Sequence, residues 1–436
     1  MKKISLIPSL VVALTLTAYP LHAAAGVQNV RDFGAKGDGV TLDTSAIQKA
    51  LDACKNTGGT VLFPAGTYLS QPLTIGTKTT VRIEKGATLL ATKNQMDFMK
   101  TPGDWLKAKS GSDFIPFISG KDLVDVTFTG GGVIDGNGAV WWGEAEKARQ
   151  KKSGYTLPRP NLIVLNRATH LRMENITLQN SPKFHFVPTE CEDVVISNVT
   201  VLAPERAANT DAIDPSNCKN VLITKCLIDV GDDNVAIKAG KPVAGREFAC
   251  ENITVTDCTF RHGHGVSIGS ETFGGVRNIT VRNCTFENTE NGIRIKSRRG
   301  KGGIVEDLVY ENITMTNVNP AITFTCYYAN NSAGDATQPA LDEATKVSEK
   351  IPTYRNIRIR NLTATCPKEA GVIAGLPESC VSNVVLENVN ITAAKSFEIR
   401  NAKAIRLKNV KVTVPKGEPF HLENAQVEGL ADAEAK

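Results

Sequence analysis

The stretches "NVLITKCLIDV" (Asn220–Val230) and "NITVTDCTFRH" (Asn252–His262) share one design. Each is a short run of alternating apolar residues, a polar corner at Lys225 or Asp257, and a second alternating run. The same pattern starts again at His170, Asp193, Asn278, Asp307, Asn356, Asn383 and Ala404, with corners at Asn175, Asn198, Asn283, Asn312, Asn361, Asn388 and Asn409. Most corners lie 21 to 32 residues apart, and the longer Asn312-to-Asn361 interval carries an insertion. Alternation with Val, Ile, Leu and Phe on one face marks half-buried strands. Asparagine at the corner suits a residue held in the left-handed region of backbone space. A coil this short cannot bury its own apolar face, so successive coils must stack. The expected fold is all-β: a single-domain, right-handed parallel β-helix with coils about 4.8 Å apart.

The repeat absorbs other signals. Asn175, Asn198, Asn252, Asn278, Asn283, Asn312, Asn361 and Asn390 satisfy the N-x-[ST] sequon, but the sequons fall out of the corner pattern and imply no glycosylation. Cys226, Cys258 and Cys284, three of ten cysteines, recur at equivalent positions, as stacked small apolar residues would. No CxxC pair or zinc-type His/Cys spacing is present, so no metal and no cofactor is expected.

At the N-terminus, Lys2 and Lys3, an apolar run and small residues near Ala23–Ala25 form a secretory signal peptide over residues 1–25. The mature domain is then 26–436, exported to the extracellular space or the periplasm. Formal charge is +5, and +3 without Lys2 and Lys3, too mild for a nucleic-acid binder. No later stretch is apolar enough to span a membrane, and a monomer is expected. Ser45 with Gln48 reads as a capping box opening an amphipathic helix, with Ile47, Ala50, Leu51 and Cys54 on one face to cap the first coil. Thr92–Phe117 and Gly136–Pro160 read as long projecting loops, the second anchored by Trp141 and Trp142.

Function concentrates in the second half of five coils: "NTDAIDP" (Asn209–Pro215), "GDDNVAIK" (Gly231–Lys238), "GHGVSIGS" (Gly263–Ser270), "NGIRIK" (Asn291–Lys296) and "AITFTCYY" (Ala321–Tyr328). Aligned on Ile213, Ile237, Ile268, Ile295 and Phe324, they place Asp211, Asp232, Asp233, His264, Arg294 and Lys296 along one exterior strip, with Tyr328 after it. Two carboxylates with separate duties can cleave a glycosidic bond, one protonating the leaving oxygen and one activating water. Crowded acids retain a proton near neutral pH. Arg294 and Lys296 would grip an anionic sugar. An acidic polysaccharide is the natural ligand.

In order and spacing, "NTD", "GDDNVAIK", "GHGVSIG" and "RIK" resemble the four signature blocks of the polygalacturonases, glycoside hydrolase family 28. The entry segment and "GGGVIDGNGAVWW" (Gly130–Trp142) are also similar to that family. The resemblance implies a pectin-lyase-like β-helix, inverting hydrolysis of polygalacturonate and no metal. It implies that Asp232 is the general acid, that Asp211 and Asp233 handle the water, and that His264 supports the acid. Arg294 and Lys296 would hold the galacturonate carboxylate, with Tyr328 or its rival Tyr327 lining the cleft. Flanking glycines at Gly263 and Gly265 suggest close substrate approach, and Arg298, Arg299 and Lys301 a solvated basic loop. Endo attack is favoured over exo. Rhamnogalacturonan or xylogalacturonan hydrolysis, a calcium-dependent lyase and a non-catalytic glycan-binding β-helix stand as alternatives.

Overall fold

The computed structural model describes residues 26–55, 57–151, 157–242, 249–328 and 343–430; the leader read over residues 1–25 lies outside them. Strands of successive coils pair in parallel, and the chain winds as a right-handed parallel β-helix. One ladder stacks Glu192–Ser197, Lys219–Thr224, Cys250–Thr256 and the first half of Val276–Glu287. Its register sets Val194, Val221, Ile253, Ile279 and Leu308 in one buried column. Burying each such side chain contributes about 1.5–3 kcal/mol, set against the entropy of ordering the coil. Among the described residues, one core cluster runs from Val30 to Phe420.

All nine corners named from the sequence have φ between 50° and 56°. Their side chains form a ladder: Asn409 donates to Asn388, Asn388 to Asn361, Asn361 to Asn312, and Asn312 to Asn283, at 2.9–3.1 Å. A second ladder, not anticipated, joins Asn220 to Asp193, Asn252 to Asn220 and Asn278 to Asn252 at the preceding corner. Its signal is the Asn or Asp that opens most of the repeat segments. Cys226, Cys258 and Cys284 follow the first corners into the core, and all ten cysteines are free thiols.

The capping helix α1 (Thr44–Cys54) buries Ile47, Ala50, Leu51 and Cys54 as expected. The Ser45–Gln48 capping box does not form. The N-cap is Asp43, two residues before Ser45, and its carboxylate accepts from Lys36 N and Gly37 N. Gln48 instead bonds Thr74 through both its amide atoms, tying α1 to the coil it covers. The two projecting loops also differ from expectation. Gly136–Pro160 contains a second helix, α2 (Ala139–Lys151), and Thr92–Phe117 holds three short 3-10 helices. They pack on each other: the buried Trp141 ring meets Trp105 at 4.9 Å and Phe98 and Phe114 at 5.8 Å, edge-on. Trp141 is thus an anchor, as read. No helix among the described residues is long and apolar enough to cross a membrane.

Candidate active site

A third ladder stacks Val235–Ala239, Val266–Thr272, Ile293–Lys296 and Ile322–Thr325, and carries the strip. Ile237, Ile268, Ile295 and Phe324 share a column as aligned. Ile213 does not; it bridges Val235, two residues earlier. Asp211 therefore lies beside Asp233, with Ala212 N donating to Asp233 O at 2.9 Å. Alternation turns Ser267 and Arg294 outward from Ile268 and Ile295, yet the face is not open. Arg294 is 9% exposed and Lys296 5%.

The reason is Asp233. Its Oδ1 accepts from Ser267 Oγ at 2.8 Å and Arg294 Nη1 at 3.3 Å, and its Oδ2 from Lys296 Nζ at 2.7 Å. Burial alone would raise this carboxyl; Lys296 and Arg294 outweigh it and hold it below the usual carboxylate range. Asp232 and Asp233 precede the strand in an irregular bend, so the alternation of a regular strand does not separate them: both carboxylates converge on His264. Asp232 Oδ1 accepts from Asp233 N at 2.9 Å and faces His264 Nδ1 at 3.1 Å. On the far side of the imidazole, Nε2 meets Glu290 Oε2 at 3.0 Å. Burial disfavours the imidazolium, but Asp232 and Glu290 together push its pKa up to about 10. Despite burial, the Asp232 carboxyl falls well below its ordinary value, held there by the same histidine. The proton next to Asp232 is thus held on His264. Glu290 was not foreseen; it lies in a bend between the repeat and "NGIRIK".

The glycines around His264 serve the stack. At Gly263 (φ 79°) a Cβ would lie 2.4 Å from Asp232 O, and at Gly265 (φ 68°) 2.2 Å from Asn291 O and Gly292 O. They let neighbouring backbones close up. His262 takes no part in the cluster: its Nδ1 pairs with Asp229 Oδ1 at 2.8 Å.

Asp211 is 4% exposed and surrounded by groups that sequence reasoning missed. Lys238 Nζ reaches its Oδ2 at 3.4 Å and contacts Asp214 Oδ2 more closely. Among the described residues, Asp211 Oδ1 and Asp214 Oδ1 are buried without a hydrogen-bond partner. Burial, with Asp214 and Asp232 nearby, raises the Asp211 carboxyl well above its ordinary value; burial raises Asp214 to about 6. The proton expected of crowded acids is thus retained on the Asp211–Asp214 side, not on Asp232. Behind them the buried Arg159 donates to Pro182 O, Leu157 O and Ala208 O and to Asn209 Oδ1, while Asn209 Nδ2 contacts Asp232 Oδ2 at 3.4 Å. Burial pulls its pKa down to about 10. Arg159 sits in a segment without periodicity, which gave no signal.

Tyr328 joins the site: Arg294 and Lys296 lie 5.6 and 5.3 Å from its ring centroid. Tyr327 turns away, under Arg400 at 4.4 Å, with its hydroxyl accepting from Asn401. The solvated basic loop is corrected at Arg299, which is 8% exposed and grips Glu378 with two nitrogens at 2.7 and 2.9 Å. Lys301 pairs with Glu271 at 2.7 Å. Asp232, Asp233 and His264 bring possible ligand atoms within 4.8 Å of one another. Both Asp233 oxygens already accept from Arg294 and Lys296, whose positive charges would repel a metal ion at this place.

Residues 54–414 match the family described as glycosyl hydrolases family 28. The chain belongs to that family. It is a glycoside hydrolase. The chain is 34% identical over 378 residues to a protein named endo-polygalacturonase from Pectobacterium parmentieri, covering 84% of this chain and 88% of the relative. The solved polygalacturonase of Erwinia carotovora ssp. carotovora superposes with a TM-score of 0.70 at 32% identity, covering 89% of this hydrolase and 94% of that chain. A hyperthermoactive exopolygalacturonase from Thermotoga maritima gives a TM-score of 0.71 at 25% identity, covering 93% and 92%. PfbA, a surface adhesin of Streptococcus pneumoniae, shares the fold with this family 28 chain at 16% identity and a TM-score of 0.54, covering 92% and 91%.

Proposed function

We propose that this chain hydrolyses α-1,4-galacturonosidic bonds of polygalacturonate with inversion, attacking within the polymer during breakdown of the plant cell wall. The observation that carries the reading is the convergence of Asp211, Asp232, Asp233 and His264 beside the Arg294–Lys296–Tyr328 cluster in a family 28 chain. A uronate carboxylate suits two cations framed by an aromatic ring. Asp232 is the general acid and His264 its proton store. The 3.1 Å gap from Nδ1 to Oδ1 lets the proton cross to Asp232 as an anionic substrate approaches, because a uronate carboxylate nearby makes the negative charge of Asp232 costly. Asp211, with one long contact and an unsatisfied oxygen, is the water-activating carboxylate. Asp233 remains a fixed anion that orients the water and the two cations. Endo attack is supported by the bacterial endo-polygalacturonase relative. Residues 26–436 form one catalytic domain, supported by the single core cluster, and residues 1–25 direct export to where the polymer lies.

A reducing-end assay on polygalacturonate with chelator present tests the reading. New reducing ends without an ultraviolet-absorbing unsaturated product are expected; their absence would overturn the hydrolase, and an unsaturated product would favour a calcium-dependent lyase. Sizing the early products should give mixed oligomers. Monomer or dimer alone would mean exo attack.

A further inference from the structure

Two lysines neutralise carboxylates on neighbouring coils, and only one belongs to the sugar-binding cluster. Lys296 serves Asp233; Lys238, outward on the strand below, serves Asp211 and Asp214 together. The fold fixes the second trio. Lys238 N donates to Pro215 O and Asp214 N to Phe186 O, each at 2.9 Å, and Lys238 pairs with Ser216 across the ladder. The Lys238 ammonium also rests 4.3 Å from the Phe184 ring centroid, where Lys183 lies at 4.4 Å. We propose that Lys238 and Asp214 are positioning residues that set the protonation of Asp211, and with it the acidic limit of the reaction. The inference rests on Asp211 being the carboxylate that activates water.

The mechanism is competition for one cation. Two buried carboxylates share a single ammonium, held closer to Asp214 than to Asp211, so Asp214 draws away the charge that would ionise Asp211. The other groups facing Asp211 are Asp232 and Asp233 on the next coil, and Lys183 and Arg159 on the preceding side; Glu271 also faces Lys238. Three acids and three cations face Asp211, but only Lys238 touches it and that ammonium lies closer to Asp214, which agrees with the raised Asp211 carboxyl and with Asp214 near 6. Losing a proton here needs Lys238.

The two partners predict opposite shifts. Lys238→Met removes the only ammonium in contact with Asp211 among the described residues, so the acidic limb of kcat/KM should move to higher pH. Asp214→Asn is nearly isosteric, removes a competing anion and leaves Lys238 to Asp211, so the limb should move to lower pH. A shift of about one pH unit each way is expected, corresponding to a tenfold change in the ionisation of Asp211. Lys238→Arg should restore the wild-type profile in part. Shifts in the same direction, or lower kcat with an unmoved profile, would overturn the proposal and leave only a structural pair. If Lys238→Met does not fold, Asp214→Asn alone decides by the sign of its shift. Carboxyl-carbon NMR titration of Asp211 in wild type and Asp214→Asn reads the same quantity without turnover. An inactive wild type would therefore defeat the polygalacturonate reading and still leave this one open to refutation: an Asp211 resonance titrating in the ordinary carboxylate range, unmoved by the variant, would overturn it.

Discussion

Asp233 and Asp211 are buried carboxylates on adjacent coils, side by side in the same ladder, and they are treated in opposite ways. Asp233 takes a hydroxyl, a guanidinium and an ammonium and is held ionised. Asp211 has one contact at 3.4 Å, one oxygen without a partner, and a carboxyl raised well above its usual value. Burial is common to both and decides nothing. The number and sign of donors decide. A carboxylate saturated with donors is a fixture, whereas one left hungry can exchange a proton with water.

Variants can break this contrast. The largest effect is expected from Asp232→Asn, which leaves the donors of Asp233 and Asp211 untouched but removes the proposed proton donor. We expect kcat to fall by about 10²–10⁴ with KM within a few-fold; a wild-type rate would show that the contrast beside it serves no acid step. Next is Lys296→Met, which should turn Asp233 into a second Asp211. Breaking a pair whose side chains are 7% and 3% exposed is expected to cost about 3–5 kcal/mol in denaturant unfolding at neutral pH. A loss below about 1 kcal/mol would mean that the remaining donors suffice. Arg294→Ala is milder for Asp233, because Lys296 and Ser267 remain. It should raise KM for polygalacturonate about tenfold, or about 1.4 kcal/mol, without moving the acidic limb. An unchanged KM would remove Arg294 from substrate binding.

Much of this was legible because the fold is periodic. Alternation and corner asparagines gave the coils, and stacking put Asp211, Asp232, Asp233, His264, Arg294 and Lys296 together. What escaped lies where periodicity stops or was not carried far enough. Helix α2 buries only Trp141 and Ala145, too thin a stripe to read as a helix. Arg159 holds carbonyls from an aperiodic segment. Lys238 was readable: it ends "GDDNVAIK", and the alternation that turned Arg294 and Lys296 outward turns Ala236 and Lys238 outward too. The charge state was not readable. Like-charge repulsion predicts that a proton is kept, but only the donor set says it sits on His264 and on the Asp211 side.

The smallest effect belongs to the opposite kind of region, the corner where seven of the nine coils carry asparagine. Asn312 donates to Asn283, accepts from Asn361 and holds φ at 53°, so it serves both as a ladder rung and as a left-handed corner. Asn312→Ala removes both roles and should cost about 1–2 kcal/mol, read as a lowered unfolding midpoint with unchanged kcat. Asn312→Gly keeps the corner conformation and loses only the rung, so its cost should be smaller. If the two variants cost the same, the corner conformation carries no strain and the ladder bonds account for the conserved geometry of the coils. A changed kcat in either variant would mean that the repeating side and the site are mechanically coupled. The structure gives a reason to expect independence: a rung is shared with like neighbours on both sides, so its loss is spread along the stack, whereas each carboxylate in the site depends on partners that occur once.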